Sequence, residues 1–286
     1  MDENGITKNG GATMGFDAEK VLEHGFCVVQ DIVSEQDITN LLARAETITA
    51  EADLTKAGVF TTDDQKRHSD EYFIRSAHNI SCFWEEGADR SKTQNAEINK
   101  IGHALHYQDS VFTEFSRNSQ FGDYGEALGL AEPVIAQSMF IFKRPFIGGA
   151  VDSHCDSTFL YTEPNSCFAF WFALEDCTEE NGCLWVAPGS HKNPITKRFT
   201  YDENSGAVNF TGEDPKLTSD QFQPVCCAKG SLVVMHGGLY HYSKQNTSNN
   251  PRPAFVIHVV DNNAHWDKEN WSQPTATDPF IRFKNH

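Results

Sequence analysis

Positive charge is scarce in this chain. Its 286 residues hold 23 Lys and Arg against 40 Asp and Glu, a formal net charge of -17. Sequence-independent binding to nucleic acid or to an anionic membrane needs clustered Lys and Arg, so neither is an expected partner. No run of about 18 apolar residues occurs, which excludes a membrane-spanning helix. The eight cysteines, Cys27, Cys82, Cys155, Cys167, Cys177, Cys183, Cys226 and Cys227, contain no C-x-x-C, so zinc ribbons and thioredoxin-type motifs are excluded. No secretory leader is visible, and a chain of this length does not depend on a disulfide framework. Reduced thiols and a cytoplasmic location are therefore expected. The closing RFKNH is not a peroxisomal address of the SKL kind. Internal repeats and interdomain linkers are also lacking.

What is present points to a packed core: 39% of residues are hydrophobic and 21 are Phe. MDENGITKNGGATM is polar and Gly-rich and is expected to be a disordered tail over 1–14. A single domain is expected over 15–286. Asp17 to His24 reads as a helix closed by Gly25, with a short strand from Phe26. Ser34 is an N-cap with Asp37 three residues on, and Ile38, Leu41, Leu42, Ala45 and Ile48 follow at helical spacing. Ile98, Ile101, Leu105, Val111, Phe112 and Phe115 predict a second helical stretch over 97–118. From about 133 the pattern changes to strands: PVIAQSMFIFKRPF, CFAFWFALED, CLWVAPGSH, KGSLVVMHGGLYHYSKQN and RPAFVIHVVD, separated by Gly, Pro and Asn turns. Residues 192–221 are polar without clear periodicity and read as a long insert. Helices first and short strands later predict a mainly β jelly roll or sandwich, its core at about 133–262, buttressed by helices at about 17–130. A monomer is expected, since no apolar surface helix announces an interface.

Three H-x-D pairs occur: His68/Asp70, His154/Asp156 and His265/Asp267. In a strand, residues two apart project from one face and can grip one ion. His68/Asp70 lies in the charged run TTDDQKRHSDE, and His265/Asp267 has only His286 after it. His154/Asp156 stands between a glycine turn and a strand. A non-haem iron(II) site needs two histidines and one carboxylate, so a second histidine is required. His191, His236, His241, His258 and His265 are the downstream candidates. His236 and His241 should face opposite sides of a regular strand, unless Gly237 and Gly238 spoil the parity. His258, in AFVIHVV, reads as a core histidine. A 2-oxoglutarate oxygenase must also hold its co-substrate's far carboxylate, which arginine does best through its planar fork. Of the late arginines Arg198, Arg252 and Arg282, Arg252 opens an apolar strand.

Together HCD, GSLVVMHGGLYHYSKQN and PRPAF resemble the iron and 2-oxoglutarate motifs of the phytanoyl-CoA dioxygenase family. NKIGHALH, QSMFIFKRPFIGG, HCDSTFLYTEP, LEDCTEENGCLWVAPGSH and NWSQPTA extend the likeness from about 98 to 276, and LEHGFCVVQDIVSEQDI resembles the family's opening. The likeness is strongest to its domain-containing protein 1 branch. The resemblance implies a double-stranded β-helix with His154, Asp156 and His241 as iron ligands. It implies Arg252 on the distal carboxylate of 2-oxoglutarate, with Lys100, Met139 and Trp171 lining that pocket and Gln137 near enough to contribute. Fe(II), 2-oxoglutarate and O2 are the implied cofactor and co-substrates, with ascorbate as reductant in vitro.

The chain departs from the family at Cys155, where relatives often carry Gln; a thiol beside an iron site is prone to oxidation. The resemblance also implies hydroxylation of an unactivated C–H, with release of succinate and CO2. Asp156 argues against the related halogenases, which lack that carboxylate. A small, largely apolar substrate is expected, and an acyl-CoA gains no support from a chain without a basic cluster. Three alternatives stay open: a zinc or manganese enzyme of the cupin kind, a non-catalytic 2-oxoglutarate or metal sensor, and a structural domain.

Overall fold

The computed structural model describes residues 15–61, 71–91 and 97–284. The tail 1–14 and the pair His68/Asp70 lie outside the described residues. Side-chain alternation along the strands of one large sheet organises everything else. Its order is β1 (Phe26–Val29), β13 (Leu232–His236), β8 (Phe168–Ala173), β15 (Ala254–Asp261), β5 (Pro133–Ile141), β4 (Ile98–His103), β3 (Ile80–Trp84) and β2 (Gly58–Val59), with β17 (Ile281–Arg282) also on β5. One face carries the register row Ile101, Phe140, Phe255, Phe172, Leu232 and Val29. These side chains are buried with the apolar stripes of α2 (Glu35–Glu51), α5 (Ser110–Ser116) and α6 (Ser119–Ala127). Each fully buried Phe or Leu there contributes roughly 1.5–3 kcal/mol.

The opposite face carries the rows Gly102, Met139, Val256, Trp171, Val233 and Gln137, His258, Ala169, Met235. It meets a four-stranded sheet of order β12 (Gln223–Val225), β9 (Leu184–Val186), β14 (His241–Ser243) and β6 (Val151–His154). Leu184, Val186 and Val225 share a buried cluster with Trp171, Val233 and Met235, so the two sheets close as a sandwich. This is the expected mainly β jelly roll with N-terminal helices. Two small pairs complete it: β10 (Arg198–Asp202) with β11 (Ala207–Thr211), and β7 (Thr162–Glu163) with β16 (His265–Trp266).

The caps follow the sequence closely. Asp17 accepts from the Lys20 amide at the start of α1 (Ala18–His24), Gly25 ends it at φ 93°, and the Ser34 hydroxyl accepts from the Asp37 amide. Short helices α3 (Glu71–Arg75) and α4 (Leu105–Gln108) lie between the early strands.

Two expectations are corrected. The helix predicted over 97–118 begins as β4, and only α4 and α5 are helical. β4 is buried on both faces, so its apolar residues do not alternate, and the spacing of Ile98, Ile101 and Leu105 imitates a helix. The insert 192–221 contains the hairpin β10–β11, closed by a turn with Gly206 at φ 69°. No helix among the described residues is long and apolar enough to cross a membrane.

Candidate metal centre

β14 runs beside β6 so that His241 and His154 are direct cross-strand partners, their ring centroids 4.3 Å apart. Each ring is oriented by its own backbone: His154 Nδ1–H donates to the Asp152 carbonyl at 2.8 Å, and His241 Nδ1–H to the Leu239 carbonyl at 3.0 Å. A carbonyl can only accept, so both Nε2 lone pairs are left for a metal. Asp156 itself lies just past the strand. β6 ends at His154, Cys155 stays extended (φ -124°, ψ 146°), and Asp156 opens a 3-10 turn. The extended Cys155 still puts residues 154 and 156 on one side. That turn is tied to the one before β14 by the Ser157 amide, which donates to Gly237 at 2.9 Å. A Cβ at Gly237 would stand 2.5 Å from Ser157 Oγ and 2.8 Å from the Cys167 carbonyl, so this approach needs glycine.

The result is one donor set. Asp156 Oδ1 lies 3.9 Å from Nε2 of both His154 and His241, and one atom from each residue falls within 4.8 Å of the others. Two imidazoles and a carboxylate on one side suit a divalent iron with open positions. Burial alone would raise the Asp156 carboxyl, but the surrounding His258, His241 and His154 outweigh it and hold it below its ordinary value. No other such cluster forms among the described residues.

Arg252, just ahead of β15, turns into the same cavity of about 520 Å³, as do Lys100, Gln137, Met139 and Trp171. Its guanidinium sits 5.2 Å over the Trp171 ring and donates through Nε to the Gly182 carbonyl at 3.0 Å. It is 2% exposed, forms no ion pair among the described residues, and its NH1 has no hydrogen-bond partner. A buried cation without an anion is costly, and an anion in the cavity could pair with it. Lys100 is buried with Nζ 3.3 Å from His103 Nε2 and 4.3 Å from the Phe60 ring centre.

Several candidate residues lie away from this donor set. His236 ends β13, packs edge-on to Phe168 and tilted against His191, and is pushed down to about 4 by burial. His265 is exposed, and Asp267 pairs with Arg198 at 3.2 Å. Cys155 turns away into a buried cluster with Ala187 and Tyr240, where burial raises its thiol, so the oxidation-prone thiolate is suppressed.

Two features escaped the sequence reading, and a third, the insert as part of the pocket, was open in it. His258 is buried, but its Nε2 faces Asp156 Oδ2 at 3.3 Å rather than sitting among apolar groups alone. Lys143 is also buried, donating to the Gly149 carbonyl at 2.7 Å and Ser243 Oγ at 3.0 Å beside Arg252. The insert supplies the outer wall. Phe199 packs on Phe73 and Phe159, Phe210 lines the cavity, and the Lys197–Asp214 pair (2.8 Å) is fixed by Tyr240 Oη.

Known proteins resemble this chain at two levels. Among solved structures, EctD from S. alaskensis with 2-oxoglutarate and 5-hydroxyectoine has a TM-score of 0.61 at 19% identity, covering 94% of this chain and 84% of that one. The epimerase SnoN with Fe3+, alpha ketoglutarate and nogalamycin RO has a TM-score of 0.63 at 14% identity, covering 93% and 97%. At these identities they share the fold. Sequence relatives are nearer. The phytanoyl-CoA dioxygenase of Arabidopsis thaliana is 40% identical over 87% of this chain and 89% of its own length. The phytanoyl-CoA dioxygenase domain-containing protein 1 homolog of Caenorhabditis elegans is 38% identical over 92% and 96%. The profile of the phytanoyl-CoA dioxygenase (PhyH) family matches residues 21–254, from α1 to the first residue of β15, and so takes in the donor set and Arg252 alike. By both measures the chain belongs to the phytanoyl-CoA dioxygenase family.

Proposed function

We propose that this protein is an iron(II)- and 2-oxoglutarate-dependent dioxygenase that hydroxylates an unactivated C–H bond of a small, largely apolar molecule, releasing succinate and CO2. The observation that carries the reading is the pairing, in one cavity, of the His154–Asp156–His241 donor set with a buried arginine that lacks an anion. The donor set fits iron, and the open guanidinium edge fits the far carboxylate of 2-oxoglutarate. SnoN is solved with Fe3+ and alpha ketoglutarate, and EctD with 2-oxoglutarate.

His154 Nε2, His241 Nε2 and Asp156 Oδ1 would hold the metal, which with 2-oxoglutarate and O2 supplies the oxidising chemistry. Arg252 binds and orients the co-substrate's distal carboxylate, with Trp171 stacked beneath it and Met139, Lys100 and Gln137 along the wall. Phe60, Phe73, Phe159, Phe210 and Trp271 form the apolar side of the cavity. They exclude water and favour a substrate with few polar groups. A zinc or manganese enzyme of the cupin kind would leave the Arg252 guanidinium without a purpose.

Succinate release tests the reading. Protein purified anaerobically and given Fe(II), 2-oxoglutarate, ascorbate and air should release succinate slowly without a prime substrate, and His154→Ala and Asp156→Ala should abolish it. Failure of both turnover and 2-oxoglutarate binding would overturn it in favour of a zinc or manganese enzyme.

A further inference from the structure

The two oxygens of Asp156 have different neighbours. Oδ1 faces His154 and His241, while Oδ2 faces His258 Nε2 at 3.3 Å. His258 is 2% exposed and stands in β15, opposite Gln137 of β5. Its Nδ1 lies 3.2 Å from Gln137 Nε2. An amide nitrogen can only donate, so Nδ1 accepts, and a neutral ring then carries its proton on Nε2, aimed at Oδ2. The opposite amide orientation would place that proton on Nδ1 and set an Nε2 lone pair against a carboxylate oxygen, which is repulsive. The direction of the chain is therefore Gln137 to His258 to Asp156.

We propose that His258, oriented by Gln137, is a positioning residue that engages the outer oxygen of Asp156 and leaves Oδ1 alone turned toward the metal. The inference rests on the metal-centre reading above. A carboxylate with a free outer oxygen can close onto a metal through both atoms and occupy a position the co-substrates need. A hydrogen bond to Oδ2 opposes that movement and fixes the plane of the carboxylate. Immediately after His258 the ladder with β5 shifts register: Val259 pairs with Ile135, and Ala136 of β5 is the extra residue, so Gln137 is set beside a bulge while β15 runs on regularly against β8.

Mn(II) binding, read by calorimetry or by loss of the free-ion EPR signal, tests this without turnover. His258→Phe keeps a ring of similar size and removes the donor; it should weaken Mn(II) by about 10–100-fold. His258→Gln should restore most of the affinity, because its amide can donate to Oδ2. Gln137→Leu should weaken Mn(II) by a smaller factor in the parent and have no further effect in the His258→Phe background, since it acts through that ring. Unchanged affinity in a folded His258→Phe, or an equal effect of Gln137→Leu in both backgrounds, would overturn the proposal. If His258→Phe does not fold, failure of His258→Gln to outperform a folded His258→Ala would do the same. A parent that binds no Mn(II), or binds it as well after His154→Ala, would instead overturn the metal-centre reading itself.

Discussion

Arg252 is the residue whose environment is hardest to explain without a ligand. It is fully enclosed, anchored by one carbonyl, and surrounded by the thiols of Cys177, Cys183 and Cys227 rather than by acids. On the proposed reading, replacing it with Ala removes two charge-assisted hydrogen bonds to the co-substrate's carboxylate, a loss of about 3 kcal/mol or more. 2-Oxoglutarate should then bind at least about 100-fold more weakly, while Mn(II) binding stays within about threefold of the parent. Arg252→Lys should recover little, because an ammonium lacks the planar fork. Calorimetric titration of each ligand checks this, and equal loss of both would make Arg252 a structural residue. Its position was legible: an arginine opening an apolar strand is unusual. The same parity should have exposed His258, since Arg252, Ala254, Val256 and His258 alternate onto one face, and three of the four line the cavity. An apolar setting such as AFVIHVV hides a polar residue whose partner comes from a distant turn. Asp156 is likewise absent from any local pattern around His258.

At the scale of elements, legibility depended on whether a segment has one buried face or two. α1 and α2 are half-exposed, so their caps and stripes stand out in the sequence. β4 is enclosed throughout, and Asn99, Lys100 and His103 are buried polar residues that break any alternation. The β10–β11 hairpin is short, and only Phe199 and Val208 are deeply buried within it, too few to register as a strand pattern. Yet it is anchored. Phe199 has no exposure and touches Phe73, Phe159 and Phe210, whereas Phe210 is half-buried on the cavity lining. Phe199→Ala should cost about 3–5 kcal/mol of stability in urea unfolding. Phe210→Ala should cost clearly less, since its ring is already partly exposed. Small and equal effects would mean that the hairpin is not packed on the body and does not wall the cavity.

The molecule as a whole combines a surface rich in acid with a core that keeps several titratable groups neutral. His106 is held near 3 and His236 near 4, in each case chiefly by burial, so both lose stability for the fold only as pH falls below about 6.5. Lys143 acts in a different window. Burial foremost, and then the charge of Arg252, lower it from 10.5 to about 6. Between those values the unfolded chain binds a proton there that the folded chain does not. Folding stability therefore rises with pH through this range, and the full cost of the buried amine is present below about 6. Lys143→Met removes that dependence and no other. The stability of the variant relative to the parent should be greatest near pH 6 and should shrink by up to about 1.4 kcal/mol per pH unit toward pH 9. Comparing the two proteins at each pH cancels the thiols and tyrosines that begin to titrate at the alkaline end. Urea midpoints from pH 6 to 9 measure it. A constant difference across the range would mean that Lys143 is protonated in the folded protein, its charge held beside that of Arg252.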